Sequence, residues 1–170
     1  SMMTDIFECV KSPFYHFGML MRLSKIPHDD FKAYLTERLN SVTDGAESVA
    51  DEILAFTGCH PYYTQELAFA VWNNLSLGKQ ENVMQLSVDD IIATHDLDYE
   101  RLWLNFNKTD KYVMASISMG SNPIQDRKLP TSTMTSAALR LTKKGYIFRS
   151  DKYEVEDPFF QKWILKNVVD

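Results

Sequence analysis

The stretch from Thr131 to Pro158 constrains the fold of this chain more than any other, because it combines a helical pattern with closely spaced turn signals. Four of its apolar residues recur at i, i+3, i+4 and i+7, which predicts a helix with one buried stripe. They are Met134, Ala137, Ala138 and Leu141. Thr131 or Ser132 is expected to cap the start of this helix, and Gly145 follows where a left-handed residue commonly ends one.

Two short apolar segments after the glycine predict a β-hairpin. Tyr146–Arg149 and Tyr153–Val155 flank the turn Ser150–Lys152, which is short enough for a wing. Asp157-Pro158 then predicts the start of a last helix. A helix with a basic outer face, followed by a two-stranded wing, is the pattern of a winged helix-turn-helix domain.

Composition and charge limit the class of protein. Hydrophobic residues make up 45 % of the 170 residues, which allows a real core and argues against disorder. Residues 1–107 carry 7 Lys and Arg against 16 Asp and Glu, a charge of −9, whereas residues 108–170 carry 11 against 7, a charge of +4. Such asymmetry predicts two regions with different partners. Because no apolar run approaches the ~20 residues that span a bilayer, and no signal peptide is recognisable, we expect a cytoplasmic protein without a membrane partner.

Four helices with short links are predicted between residues 27 and 107, and we expect them to form a small bundle. Pro27 opens the first, the second ends at Gly58, Pro61 opens the third, and Ser87–Asp90 resembles a capping box at the start of the fourth. The predicted inner stripe of the first helix is Phe31, Tyr34, Leu35 and Leu39. The predicted fold class is therefore mainly α, or α+β, with a four-helix bundle before the winged-helix domain.

The regions beside this bundle are less regular. Residues 13–26 alternate like a strand with one buried face, through Phe17, Met19, Met21 and Leu23. A lone strand cannot satisfy its backbone groups, so this segment either pairs with something absent or adopts another conformation. After the bundle, Thr109 or Asp110 is expected to cap a fifth helix, and the loop Gly120–Pro130 follows it.

The outer face of the helix Ser132–Lys144 carries hydroxyl groups followed by cations, as expected for a helix that enters the major groove of DNA. The candidate DNA-binding residues are Thr133, Ser136, Arg140, Lys143 and Lys144 on this helix, with Arg149 and Lys152 on the predicted wing. Arg127 and Lys128 in the preceding loop would add to the same positive footprint. Because winged helices also serve as protein-contact modules, double-stranded DNA and a protein partner both stay open.

No catalytic or metal-binding motif is recognisable in the sequence. It contains no Gly-x-x-x-x-Gly-Lys-Ser/Thr phosphate loop and no Gly-x-Ser-x-Gly motif, and its four histidines lack zinc-type spacing. Cys9 and Cys59 are isolated, which is typical of reduced cysteines in a cytoplasmic protein. The segment Gly58–Tyr63 places exposed amides and a rigid proline at a helix start, where they could contact a nucleotide. A proline that starts a helix, with tyrosines packed into the core, is the simpler interpretation of the same residues.

Three motifs, taken in series, point to a known family. They are Pro13-Phe14-Tyr15 with Leu23-Ser24-Lys25-Ile26-Pro27, Gly58-Cys59-His60-Pro61-Tyr62-Tyr63-Thr64-Gln65, and Leu141-Thr142-Lys143-Lys144-Gly145-Tyr146-Ile147 with Asp157-Pro158-Phe159-Phe160 and Trp163. In this order and spacing, the chain resembles the C-terminal half of the archaeal-type AAA+ ATPases, which are signal-transducing NTPases related to origin-recognition proteins. The resemblance covers about residues 3–167. It implies a remnant of the ATPase core in residues 1–26 (its last strand), a helical lid in residues 27–107 and a winged-helix domain in residues 108–170.

The resemblance also implies a role in a larger ATPase. ATP and Mg²⁺ would bind through a core that is missing here, so no cofactor and no catalytic residue are expected in this part of the protein. Gly58, His60 and Pro61 match the family's Gly-x-Pro lid motif and are the implied nucleotide contacts. Cys59 stands where many members carry glycine, and no arginine opens the following helix. The lid and the winged helix would transmit the nucleotide state to a DNA or protein partner.

Two other interpretations stay open. The chain could be a stand-alone winged-helix DNA-binding transcriptional regulator with an N-terminal helical domain for dimerisation. It could also be a protein-interaction scaffold. If the ATPase core is missing, the strand predicted in residues 13–26 could instead pair with a second copy and form a homodimer.

Overall fold

A computed structural model describes residues 26–123 and 130–169 of the chain. Within them the chain is mainly helical and carries one two-stranded antiparallel sheet. The helices are α1 His28–Leu39, α2 Ala46–Thr57, α3 Pro61–Ser76, α4 Val83–Asn105, α5 Lys108–Ser118, α6 Thr131–Lys143 and α7 Pro158–Ile164. Strands β1 Ile147–Arg149 and β2 Tyr153–Val155 lie between α6 and α7, and a π-helical segment, Leu165–Val169, follows α7. The predicted mainly α class is confirmed. The strand predicted in residues 13–26 lies outside the described residues, except for Ile26.

The chain divides into two compact units, which are described separately below. The helical unit comprises residues 26–100 and 158–163 of the described chain, and the hairpin unit comprises residues 101–157 and 164–169, without 124–129. Helix α4 therefore contributes to both units. The aromatic residues of α7 belong to the helical unit, although α7 follows the hairpin along the chain.

The core of the helical unit is formed by apolar stripes of its helices. Among its most deeply buried side chains are Leu39, Ile53, Leu54, Leu67, Val71 and Phe159. Phe31 and Leu35 on α1 are also buried, as predicted. The prediction for Tyr34 was wrong: its side chain is exposed, and the guanidinium carbon of Arg38 lies 5.1 Å from its ring centroid. The phenol is amphipathic, so it can cover the helix surface beneath a cation and keep its hydroxyl in water.

Buried polar groups join neighbouring helices of this unit. The Thr57 hydroxyl donates to the Ile53 carbonyl at 2.9 Å, and its oxygen lies 2.6 Å from the Thr64 hydroxyl across the link between α2 and α3. The Asn74 Nδ2 donates to Ser87 Oγ at 3.1 Å and to Asp90 Oδ2 at 3.0 Å, between α3 and α4. The prediction that Ser87 caps α4 was therefore wrong, because Ser87 lies inside a helix that begins at Val83. Its hydroxyl accepts from a buried amide instead of from the helix backbone.

The hairpin unit packs α5, α6 and the two strands together. Met134, Ala137, Ala138 and Leu141 of α6 are buried, as predicted, as are Val113, Met114 and Ile117 of α5. The strands pair in the register Ile147 with Val155, Phe148 with Glu154 and Arg149 with Tyr153, which confirms the predicted hairpin. Gly145 has φ +76°, so it takes the left-handed conformation expected after α6.

Both predicted helix caps of this unit were wrong. Asn107 caps α5, since its side-chain oxygen accepts from the Asp110 amide at 2.9 Å. Asp110 lies one turn inside the helix, and its carboxylate binds a cation from α6 instead. Pro130 precedes α6, no side chain caps it, and Thr131 and Ser132 are already helical. A proline at this position fixes the backbone angle with which the chain enters the helix.

Candidate functional site

The solvent-facing side of α6 has the chemistry that the sequence predicted. Thr133 and Ser136 are exposed on the face opposite the buried stripe. Lys143 is also exposed in the last turn, and Lys144 caps the C-terminal end of the helix. Hydroxyl groups therefore precede cations along one helical surface. Such a surface can donate hydrogen bonds to phosphate oxygens and to base edges.

Arg140 lies on the same helix but is already bound within the protein. Its Nε donates to Asp110 Oδ2 at 3.2 Å, and its Nη2 donates to Asp110 Oδ1. These hydrogen bonds raise the pKa of Arg140 above its ordinary value. The Asp110 side chain is 6 % exposed, whereas the Arg140 side chain is 40 % exposed. The pair therefore fixes α6 against α5 while it leaves one edge of the guanidinium in water.

A shallow polar cleft of about 550 Å³ lies where the starts of α5 and α6 meet. Its lining residues are Asn107, Lys108, Thr109, Ser132, Thr133, Ser136 and Arg140. The structure thus brings three of the predicted DNA-binding residues together with three from the start of α5. The sequence patterns placed a boundary between regions at Asn107-Lys108-Thr109 and offered Thr109 as a helix cap, but they did not identify these residues as candidate binding residues. A lysine beside two small polar residues, at the start of a helix, was the signal that could have identified them.

The hairpin, which is the predicted wing, carries fewer cations than carboxylates. Arg149 and Lys152 are exposed, but Asp151, Glu154 and Glu156 lie on the same hairpin. The guanidinium carbon of Arg149 lies 5.5 Å from the ring centroid of Tyr153 on the paired strand. Since its cations are outnumbered by carboxylates, the hairpin would contribute less to binding a polyanion than α6.

The predicted nucleotide-contact motif forms a tight link between α2 and α3 of the helical unit. Gly58 ends α2 with φ +59°, and Cys59 follows with φ +58°, so two consecutive residues are left-handed. Pro61 is the first residue of α3. The His60 ring centroid lies 4.5 Å from that of Tyr63, one turn into the helix. A non-glycine residue in the left-handed region is uncommon, so Cys59 holds a conformation that favours glycine.

Pro61 also lines a groove of about 860 Å³ in the helical unit. The groove lies between α1 and α3, and most of its lining side chains are apolar or aromatic. They are Ile26, Asp30, Phe31, Tyr34, Leu35, Arg38, Leu39, Ser41, Pro61, Gln65, Ala68, Phe69 and Trp72. The other two residues of the predicted motif, Gly58 and His60, do not line it. The structure therefore brings only Pro61 to a surface that could hold an aromatic ring or an apolar chain.

The described residues give no sign of a metal centre or a membrane-spanning helix. No group of three or more His, Cys, Asp or Glu side chains in residues 26–123 and 130–169 could hold a metal ion. In the same part of the chain, every helix is too short or too polar to cross a bilayer. Comparison of the chain with protein-family models, curated proteins and solved structures gives no match.

Proposed function

We propose that this chain is the lid and winged-helix part of an AAA+ or signal-transducing ATPase, and that it transmits the nucleotide state of a separate core to duplex DNA in the cytoplasm. The observation that carries the proposal is the outer face of α6, where exposed hydroxyl groups precede exposed lysines. The hairpin directly after this helix has the place of a wing. A protein partner at the same surface is the second candidate, because the hairpin itself has no net positive charge.

The link between α2 and α3 supports the lid assignment independently. Cys59 stands where many members of the family carry glycine, and its φ of +58° lies in the region that favours glycine. Pro61 follows at the first position of α3 and borders the aromatic groove. In this proposal, Pro61 would lie near the base of ATP that is bound by the core. The core would supply the phosphate-binding and catalytic residues, together with Mg²⁺.

The DNA-facing part of the proposal is tested by binding of a labelled duplex across a salt series. The logarithm of the binding constant should fall linearly with the logarithm of the salt concentration, because phosphate contacts release counterions. Lys143→Glu combined with Lys144→Glu should weaken binding strongly and lower this slope by about two. Arg140 is left intact, since its replacement would also unpair Asp110. Lys162→Glu, an exposed lysine of α7, is the control with half of this charge change and should alter the slope little.

The outcomes separate the candidate functions. Binding that does not depend on salt, or equal loss in the Lys143/Lys144 and Lys162 variants, would contradict DNA contact through α6. The ATPase part is tested by the genomic sequence upstream of Met2, which should encode a Gly-Lys-Ser/Thr phosphate loop. Salt-dependent duplex binding without such an upstream sequence would instead support the stand-alone transcriptional regulator.

A further inference from the structure

The outer face of α6 carries one large apolar side chain among polar ones. The exposed positions directly opposite the buried stripe are Ser132, Ser136, Leu139 and Lys143, which recur at i, i+4, i+7 and i+11. Leu139 is 62 % exposed, whereas Met134 and Leu141 of the same helix are buried. An exposed leucine therefore lies between Ser136 and Lys143, on the surface that is proposed to contact DNA.

Contacts on the inner side of α6 hold Leu139 in this exposed position. Met134 is 1 % exposed and Leu141 is 0 % exposed. Arg140, the next residue along the chain, donates through Nε and Nη2 to the buried carboxylate of Asp110. Turning Leu139 toward the core would break these contacts. Its apolar surface can therefore leave water only by contact with another molecule.

The surroundings of Leu139 favour DNA over protein as that molecule. Serine and lysine are depleted at the centre of protein interfaces, yet Ser136 and Lys143 lie one turn away from Leu139 on either side. Helix α6 also contains Arg140 and Lys143 and no Asp or Glu. Because no carboxylate on this helix repels phosphate groups, its outer face is compatible with the major groove of a duplex.

The major groove offers an apolar group that suits this leucine. The C5 methyl group of thymine projects into the groove, and the other three bases lack it. Ser136 precedes Leu139 by three residues, which is about 4.5 Å along a helix, and successive base pairs lie about 3.4 Å apart. Since a serine hydroxyl can bind several kinds of base edge, the two side chains are spaced to contact neighbouring base pairs.

We propose that Leu139 packs against the methyl group of a thymine in the major groove. The chain would then prefer duplexes that carry thymine at one fixed position of the site. This inference rests on the DNA contact proposed for α6, and it adds the residue that distinguishes one base from another. The lysines of the same helix bind phosphate groups, which are alike in every sequence.

The test uses deoxyuridine, which pairs as thymidine does but lacks the C5 methyl group. A preferred duplex is first selected from a random-sequence pool with the full chain, and each of its thymines is then replaced in turn. At one position, the replacement should weaken binding about fourfold, which is the effect of removing one buried methyl group. Replacement at the other positions should change the binding constant little.

A leucine variant assigns this effect to α6. Leu139→Ala should bind the thymine and deoxyuridine duplexes equally, because its side chain no longer reaches the methyl group. It should keep the salt slope and the urea midpoint of the parent, since Leu139 is exposed and makes no phosphate contact. Leu104→Ala shortens another leucine, which is 65 % exposed on α4, and should keep the fourfold difference.

Three results would overturn the inference, and they separate it from the proposed function. Salt-dependent binding that no deoxyuridine replacement weakens would show that no methyl group is contacted. A thymine preference that persists in Leu139→Ala would assign the contact to another residue. Both of these results would leave the phosphate contacts of α6 standing. If the chain showed no salt-dependent duplex binding, both proposals would fail, and the outer face of α6 would be left to a protein partner.

Discussion

Arg140 on α6 and Asp110 on α5 form a bidentate ion pair that crosses the hairpin unit, with Nε and Oδ2 3.2 Å apart. The carboxylate is buried and the guanidinium is partly exposed. The pair fixes the orientation of the helix whose outer face carries the proposed DNA contacts. Arg140 is thus a positioning residue for that face, and its removal should affect stability before it affects binding.

Replacing Arg140 by Gln should lower the free energy of unfolding by roughly 1–3 kcal/mol, because it leaves the buried Asp110 carboxylate without its charged partner. The partial exposure of the guanidinium favours the lower half of this range. Urea denaturation followed by circular dichroism measures the change. Lys144→Gln, an exposed lysine on the next turn, should change it by less than about 0.5 kcal/mol. Equal effects of the two substitutions would show that the ion pair contributes nothing.

The Thr57–Thr64 pair predicts an asymmetric response to Val substitution. Thr57→Val removes the donor to the Ile53 carbonyl and leaves the fully buried Thr64 hydroxyl without its partner. It should cost about 1–3 kcal/mol of unfolding free energy. Thr64→Val should cost about 1 kcal/mol or less, because Thr57 still donates to Ile53. Urea midpoints of the two variants give the comparison, and a larger cost for Thr64→Val would contradict this assignment of donors.

Trp163 should contribute chiefly through packing and only secondarily through its hydrogen bond. It is buried beside Tyr99 and Phe160, and its Nε1 donates to Asp96 Oδ1 at 2.7 Å. Trp163→Ala should destabilise the helical unit by about 3–5 kcal/mol. Trp163→Phe removes the hydrogen bond and should lower the free energy of unfolding by much less, about 1 kcal/mol. The reason is that the exposed Asp96 carboxylate can accept hydrogen bonds from water instead. Thermal denaturation of both variants tests this order, and similar costs would contradict it.

The backbone at Cys59 makes a prediction about glycine. Cys59→Gly should leave the chain at least as stable as the parent, because glycine adopts the observed φ of +58° without steric cost. Cys59→Ala should be less stable than Cys59→Gly by about 1 kcal/mol. Urea titration of the three proteins under reducing conditions measures the difference. If alanine were as stable as glycine here, the left-handed conformation at this position would be wrong.

The ion pairs of Lys32 predict that the stability of the protein depends on pH in the alkaline range. Its Nζ lies 2.8 Å from Asp51 Oδ2 and 3.1 Å from Glu47 Oε1 on α2, and these contacts raise its pKa above the ordinary 10.5. Since the folded-state pKa is the higher one, the stabilisation is complete below pH 10.5 and is lost as the pH rises through the raised value. The difference in urea midpoint between the parent and Lys32→Gln should therefore be constant from pH 7 to 9 and shrink as the pH rises beyond 10.5. A difference that grows with alkaline pH would have the wrong sign.

Sequence patterns predicted the elements better than their ends. Apolar spacing identified the helices of the described chain and both strands of the hairpin, because burial of one face dominates the choice of secondary structure. The caps of α4 and α5 were mispredicted because the predicted side chain has a partner on another helix. Ser87 accepts from Asn74 on another helix, and Asp110 binds Arg140, which lies 30 residues away. No local pattern contains such distant partners, so only the tertiary structure could reveal them.

One part of the candidate site could be predicted from the sequence and another part could not. Exposure of Thr133, Ser136 and Lys143 follows directly from the position of the buried stripe on α6, so the sequence could predict it. The groove beside Pro61 could not be predicted, since it depends on how α1 and α3 lie together. The interpretation of Tyr34 as a core residue illustrates this limit. Aromatic residues at helical spacing suit a core and a groove equally well.

The helical unit is assembled from two separate stretches of chain, and this affects the order in which the protein can fold during synthesis. Residues 26–100 leave the ribosome long before Phe159 and Trp163, which complete their core. The core of the nascent helical unit therefore stays incomplete while the hairpin unit is translated. A stop codon placed after the hairpin would therefore damage the part of the protein that was made first.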